Sequence, residues 1–186
     1  MKIGLAVLLL VLVVAAGAKY VGTRNGLVAE REDIAADWAQ VDAALQQRAE
    51  LVPEFIQAVR GKASGEHSAI DAVLQARADL EKVRGPERKI RANSRLDTAI
   101  GRLLLAVENY PELDHSKKLA VLEDGLKQAE DRIAVERRKY NEALQRYNTS
   151  ISLFPDNLVA SLSGFARNDA YFKTEPGART APKVQF

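Results

Sequence analysis

The segment that most constrains this chain is its beginning. Ile3 to Ala18 reads Ile-Gly-Leu-Ala-Val-Leu-Leu-Leu-Val-Leu-Val-Val-Ala-Ala-Gly-Ala without a charge, with Lys2 before it and Lys19-Tyr20 after it. A membrane-spanning helix needs roughly 17 to 25 apolar residues, a length this run reaches when Met1 and the extension through Tyr20 and Val21 are included. Residues 1–21 are therefore expected to form a transmembrane anchor. Ala16-Gly17-Ala18 also fits the small-residue pattern of a secretory signal, and cleavage near Ala18 is the alternative, which exports the remainder. Lys19, Arg24 and Arg31 follow the run against Lys2 alone before it. Since lysine and arginine tend to stay cytoplasmic, the amino terminus is expected outside and the body in the cytoplasm.

The rest of the chain is long enough for one domain with its own core. Hydrophobic residues make up 47% and charged residues 28% of the sequence, and the net charge is only +2. That balance describes an ordinary folded body, neither disordered nor built for nucleic acid, and no basic patch stands out. Cysteine is absent, which removes disulfides, thiolate nucleophiles and cysteine metal sites.

Hydrophobic spacing predicts helices throughout. Leu27, Ile34, Trp38, Val41, Leu45, Val52, Phe55 and Val59 recur in steps that suit one helical seam. Pro53 cannot donate to the carbonyl of Ala49, so a kink is expected there, not a stop, because the period continues beyond it. A break at Gly61 and an N-cap at Ser64 open a second helix with Ile70, Val73, Leu74 and Leu80 on its stripe, up to Gly85-Pro86. A third carries Ile90, Leu96, Ile100, Leu103, Leu104 and Val107 and ends at Asn109-Tyr110-Pro111. The fourth seam runs through Leu119, Leu122, Leu126, Ala129, Ile133, Glu136, Tyr140, Ala143, Tyr147, Ser150 and Phe154, with Pro155 closing it. Short links make sequential helices antiparallel. The expected fold is all-α: a transmembrane helix, then an up-down-up-down four-helix bundle over 22–155 with long first and last helices, and an aromatic segment and tail over 156–186. Three long helices, with the second and third joined through a kink at Pro86, form the alternative.

Phe154, Phe165, Phe172 and Phe186 crowd the carboxy-terminal part. An even number of helices returns the chain to its starting end, so this segment is expected near the bilayer surface, packed on the helix stalk or inserted at the lipid interface.

Few residues suggest chemistry. His67 and His115 are the two histidines, and Glu112-Leu113-Asp114-His115 has one Glu-x-x-His pair where di-iron bundles need two and further glutamates. There is no Gly-x-Ser-x-Gly elbow, phosphate-cradling loop or His-Glu-x-x-His. The reading is therefore no catalytic residue, no metal, no cofactor and no enzyme.

Charges on apolar seams are more informative. Arg31, Arg48, Arg77 and Glu136 occupy such positions, and a guanidinium removed from water needs a partner unless it snorkels to the edge. If the two long helices run antiparallel, Arg48 lies opposite Glu130 and Glu136, and a register-fixing salt bridge to one or both is expected. Trp38 falls opposite Ala143, between Tyr140 and Tyr147, as a buried packing residue.

Several segments together resemble the LemA family of bacterial membrane proteins. The likeness rests on Trp38-Ala-Gln-Val-Asp42, Leu45, Arg48, Leu51-Val52-Pro53 and Ala76-Arg77. It continues through Val107-Glu108-Asn109-Tyr110-Pro111-Glu112-Leu113, Glu130-Asp131-Arg132-Ile133-Ala134, Arg137, Tyr140-Asn141-Glu142, Tyr147-Asn148 and Phe154-Pro155. Gly164-Phe165, Tyr171-Phe172 and Lys183-Val184 complete it. Glu54 stands where asparagine is usual, Asp114-His115 replaces Lys-Ala, and Glu136 replaces a small residue. The resemblance implies an amino-terminal anchor outside and a cytoplasmic helical bundle, with no enzyme. From seams and motifs the structural or interaction candidates are Trp38, Arg48, Arg77, Glu108, Tyr110, Glu130, Glu136, Tyr140, Asn141, Tyr147, Asn148, Phe154 and Pro155. The expected role is a scaffold or adaptor in the bacterial envelope, in contact with lipid and with envelope or membrane proteins. A bundle binding lipid or a small ligand near Trp38, Tyr140 and Tyr147 is the alternative. Self-association is compatible with the sequence but not required by it.

Overall fold

A computed structural model describes residues 2–60, 65–110 and 116–172. Five helices account for nearly all of them: α1 (Lys2–Arg60), α2 (His67–Lys82), α3 (Pro86–Val107), α4 (Lys117–Ser150) and α5 (Asp156–Leu162). The fold is all-α, with no strand among the described residues. The apolar run and the first seam belong to one continuous helix, and α1 passes through Pro53 without ending. Glu66, not Ser64, occupies the N-cap of α2. Gly61, Ser64, Pro111, Glu112, Asp114, His115, Lys183, Val184 and Phe186 lie outside the described residues.

The chain divides into two compact units, Met1–Ala39 with Lys139–Asp169, and Gln40–Arg138 with Ala170–Phe186. In the second unit Val52, Phe55 and Val59 of α1, Ile70, Val73 and Leu80 of α2, Leu96, Ile100 and Leu103 of α3, and Leu119, Leu122 and Leu126 of α4 share one hydrophobic core. The stripes read from the sequence supply it, with the buried Ala76 and Ala92 added. Leu74, Ile90 and Leu104 are only half-buried, at the edges of their stripes. Pro86 takes the first turn of α3, where its missing N–H costs nothing, and Gly85 before it supplies the backbone with φ +82°. Contacts between α1 and α4 in this unit run in opposite directions along the chain. Gln47 accepts from Arg132 at 2.8 Å, Arg48 meets Glu130, and Leu51 lies against Gly125.

In the first unit Leu27 and Ile34 of α1 are buried, as are Tyr140, Ala143, Leu144 and Tyr147 of α4 and Val159 and Ala160 of α5. Here too α1 and α4 are antiparallel: Glu30 accepts from Ser150 Oγ at 2.8 Å, and the Trp38 ring lies tilted against Tyr140. The expected continuation of α4 to Phe154 is corrected, because α4 ends at Ser150 and Phe154 is 79% exposed. Thr149-Ser150-Ile151-Ser152 is a run of weak helix formers, and Ser152 Oγ donates to the Asn148 carbonyl at 2.6 Å in place of a continuing helix N–H. Pro155 further restricts Phe154. It serves instead as the N-cap residue of α5. α5 closes in a Schellman arrangement: Phe165 N–H bonds the Ala160 carbonyl at 2.9 Å around Gly164 at φ +73°.

Candidate functional site

The only buried arginine among the described residues is Arg48, 3% exposed, on the core face of α1. Its guanidinium donates to Asp97 of α3 through Nη1, while Nη2 lies 3.7 Å from Glu130 of α4. Asn93, one turn before Asp97 and itself buried, donates to the second Asp97 oxygen at 3.0 Å. Three helices are thereby tied to one cation. The expected partner on α4 is present in Glu130, but it is long-range and its side chain is largely exposed. The direct partner, Asp97, was not anticipated, and Glu136 is not a partner of Arg48. Asp97 follows Leu96 and lies one turn from both Asn93 and Ile100, so its position beside the α3 stripe was the available signal.

Burial pushes the Asp97 carboxyl above its ordinary value of 3.8, and the Arg48 guanidinium pulls back without cancelling the effect. Arg48 Nε and Asn93 Oδ1 are buried without a hydrogen-bond partner. Such a cluster is costly for stability but specific in geometry, and it suits a device that fixes how α1, α3 and α4 align.

Arg77 answers a question posed by Pro53. The proline leaves the Ala49 carbonyl without its helical donor, and Arg77 Nε from α2 donates to that oxygen at 2.8 Å. Its Nη2 pairs with Glu81 at 2.8 Å. The seam arginine is thus a cross-helix cap. Arg77→Met is expected to cost about 1–2 kcal/mol by orphaning a buried acceptor. The loss should shrink in a Pro53→Ala background, where an alanine N–H serves the same carbonyl. Denaturant titration of the four chains of this cycle measures it, and additive losses contradict the capping role.

Arg77 also borders an open cavity of about 490 Å³ with Asp42, Glu50, Glu81, Arg84 and Lys89 along its walls. Lys89 pairs with Asp42 there. The groove is strongly charged and of mixed sign.

At the end of α3, Glu108 is exposed in the turn, and Tyr110 donates to Glu66 at 3.2 Å, joining this end to the start of α2. A side chain at Gly65 would meet the Tyr110 hydroxyl at 3.0 Å, so the close approach favours glycine. Arg137 stacks over Phe172 at 4.6 Å within the second unit.

In the first unit the Trp38 and Tyr140 ring centres are 5.4 Å apart at a 60° tilt. Tyr140 is wholly buried, whereas Trp38 is half-buried. The expectation of a buried indole is corrected: Tyr140 and Ala143 fill the seam, and the larger indole lies over its edge. Tyr147 donates to the Ala166 carbonyl at 2.9 Å. Asn148 brackets Asn168, donating to its carbonyl at 2.7 Å and accepting its N–H at 2.9 Å. These two residues fasten the chain after α5 to α4, a role visible beforehand only as the Tyr-Asn motif. Asn141 and Glu136 are half-buried on α4, and Arg31 is exposed over the Phe165 ring at 5.8 Å instead of pairing with a carboxylate.

These features define a class: a long-helix all-α protein in which a buried arginine and buried amides link neighbouring segments. Residues 37–186 match the model of the LemA family, and the chain belongs to that family. It is 26% identical over 182 residues to Magnetosome protein MamQ 2 of Paramagnetospirillum magneticum, covering 84% of this chain and 66% of that protein. It is 33% identical over 89 residues to MamQ of Magnetospirillum gryphiswaldense, covering 48% of this chain and 32% of that one. Protein LemA of Metamycoplasma hominis is 25% identical over 142 residues, covering 76% and 65%. The chain thus spans just under two thirds of the length of MamQ 2.

Proposed function

We propose that this LemA-family protein is a single-pass, membrane-anchored helical scaffold or adaptor of the bacterial envelope that works by contact and not by catalysis. The observation that carries the reading is α1 itself. Its stretch from Ile3 is long and apolar enough to cross a membrane, the apolar run Ile3–Ala18 is exposed throughout, and the same helix continues into the packed seam. A helix apolar on all sides and covered by nothing is suited to lipid. In this reading α1 to α4 form an up-down-up-down bundle in the cytoplasm, held at the inner membrane with the amino terminus outside. Its partners are lipid and envelope or membrane proteins, with no nucleic acid and no cofactor.

The contact surface best suited to a protein partner is the charged groove around Arg77, Arg84 and Lys89. The aromatic side chains that suggested a ligand cleft are engaged with one another and with the chain after α5, which favours the contact reading. A photo-crosslinker placed at Glu50 in native membranes tests the reading. A discrete heterologous adduct that disappears on Arg84→Glu with Lys89→Glu is expected. Recovery of this chain alone, under conditions that trap other complexes, contradicts it.

A further inference from the structure

Both ends of the short helix α5 meet α1 within little more than one helical turn. Asp156, its first residue, accepts from Thr23 Oγ1 at 3.0 Å and pairs with Lys19 at 3.5 Å. Ser163, directly after its last residue, shares a hydrogen bond of 3.0 Å with the Tyr20 hydroxyl. Residues 19 to 23 rise only about 6 Å along a helix, whereas the seven residues of α5 extend about 10 Å. Both ends of α5 are therefore tied to a single turn of α1, immediately beyond the apolar run Ile3–Ala18.

Val159 and Ala160 face the protein, while Leu153, Phe154, Leu158 and Leu162 are exposed, the last at 79%. Leu158 and Leu162 are one turn apart on α5 and share a face, and Leu153 and Phe154 are exposed in the turn that leads into it. Apart from the run through Val21 and from Val28, these four are the exposed large apolar side chains among the described residues of the first unit.

The geometry points to an interfacial foot: α5 lies in the plane of the bilayer surface with Leu153, Phe154, Leu158 and Leu162 in the boundary between headgroups and acyl chains. Lipid is the occupant because these side chains sit at the level where the apolar belt of α1 ends. Lys19 and Tyr20, residue types suited to that boundary, mark the same level. A transmembrane helix alone can tilt and rotate. A second contact fixes both and so orients the helical body against the membrane. This inference rests on the anchored reading above and adds a second membrane contact to it.

The absence of cysteine allows single labels. Full-length Leu158→Cys, Leu162→Cys, Val14→Cys and Arg146→Cys, each carrying an environment-sensitive fluorophore, are reconstituted in phosphatidylcholine–phosphatidylglycerol vesicles with nitroxide-labelled lipids. Positions 158 and 162 are expected to lose emission to shallow nitroxides, position 14 to deep ones, and position 146 to neither. If 158 and 162 behave like 146 while 14 is quenched, the foot is overturned and the anchor stands. If 14 is not quenched either, the anchored reading fails and takes the foot with it. Labels at 158 and 162 shielded from water but untouched by nitroxide lipid, with shielding that falls on dilution of the protein in the bilayer, assign the face to a second copy and overturn the foot.

Discussion

Arg48→Met should destabilise the full-length protein by about 3 kcal/mol at neutral pH, the low end of what breaking a buried ion pair costs, because Asp97 is 31% exposed and Glu130 mostly so. The loss comes less from the missing attraction than from what remains, a partly buried carboxylate left with only the Asn93 amide and the more distant charge of Arg137. Its pH dependence identifies it. Burial already holds the folded-state pKa of Asp97 above its ordinary 3.8. A carboxyl raised on folding contributes stability below its unfolded pKa and loses that contribution as pH rises through its folded pKa. Removing Arg48 takes away the pull that restrained the shift, so this loss grows in the variant. The gap between wild type and Arg48→Met is therefore widest at neutral pH and narrows as Asp97 protonates on acidification. Replacing Arg48, Asn93 and Asp97 together by Met, Leu and Leu removes the orphaned groups and should recover most of the stability. Denaturant titrations across the acidic range measure all of this, and a gap that does not vary with pH removes Asp97 from the account.

Tyr140→Ala should cost about 3–5 kcal/mol, as expected for a large aromatic side chain with no exposure. Trp38→Ala should cost roughly half as much, since only part of the indole leaves water, with the Tyr140 ring against it. The two changes should be less than additive, because whichever is made first removes the pair contact. Acrylamide should quench Trp38 partially in the wild type and more fully in Tyr140→Ala. Equal stability losses for the two single variants contradict the division of burial seen here.

The seams of α1 and α4 were legible because the apolar period persists over many turns. Leu27, Ile34, Val41, Leu45, Val52, Phe55 and Val59 are all buried on α1, and Leu119, Leu122, Leu126, Ala129, Ile133, Tyr140, Ala143 and Tyr147 on α4. The antiparallel pairing of these helices placed Trp38 beside Tyr140 and Arg48 near Glu130. Asp97 escaped notice because a carboxylate on an amphipathic helix ordinarily faces water, and only a cation arriving from another helix makes its inward position tolerable. Phe154 was misread for the opposite reason. It keeps the period of α4, but the period does not register that Thr149-Ser150-Ile151-Ser152 and Pro155 release the backbone from helix. Arg77 was identified as unusual and Pro53 as leaving a carbonyl bare. Joining the two required knowing which turn of α2 faces Ala49.

The proposed arrangement, an anchored protein with its helical body on the cytoplasmic side, is tested most directly by protease treatment of intact cells, spheroplasts and detergent lysates. The body should resist protease in cells and in spheroplasts, stay with the membrane fraction, and be degraded only after detergent. Degradation in spheroplasts, or recovery of a shortened chain in the soluble exported fraction, would contradict it.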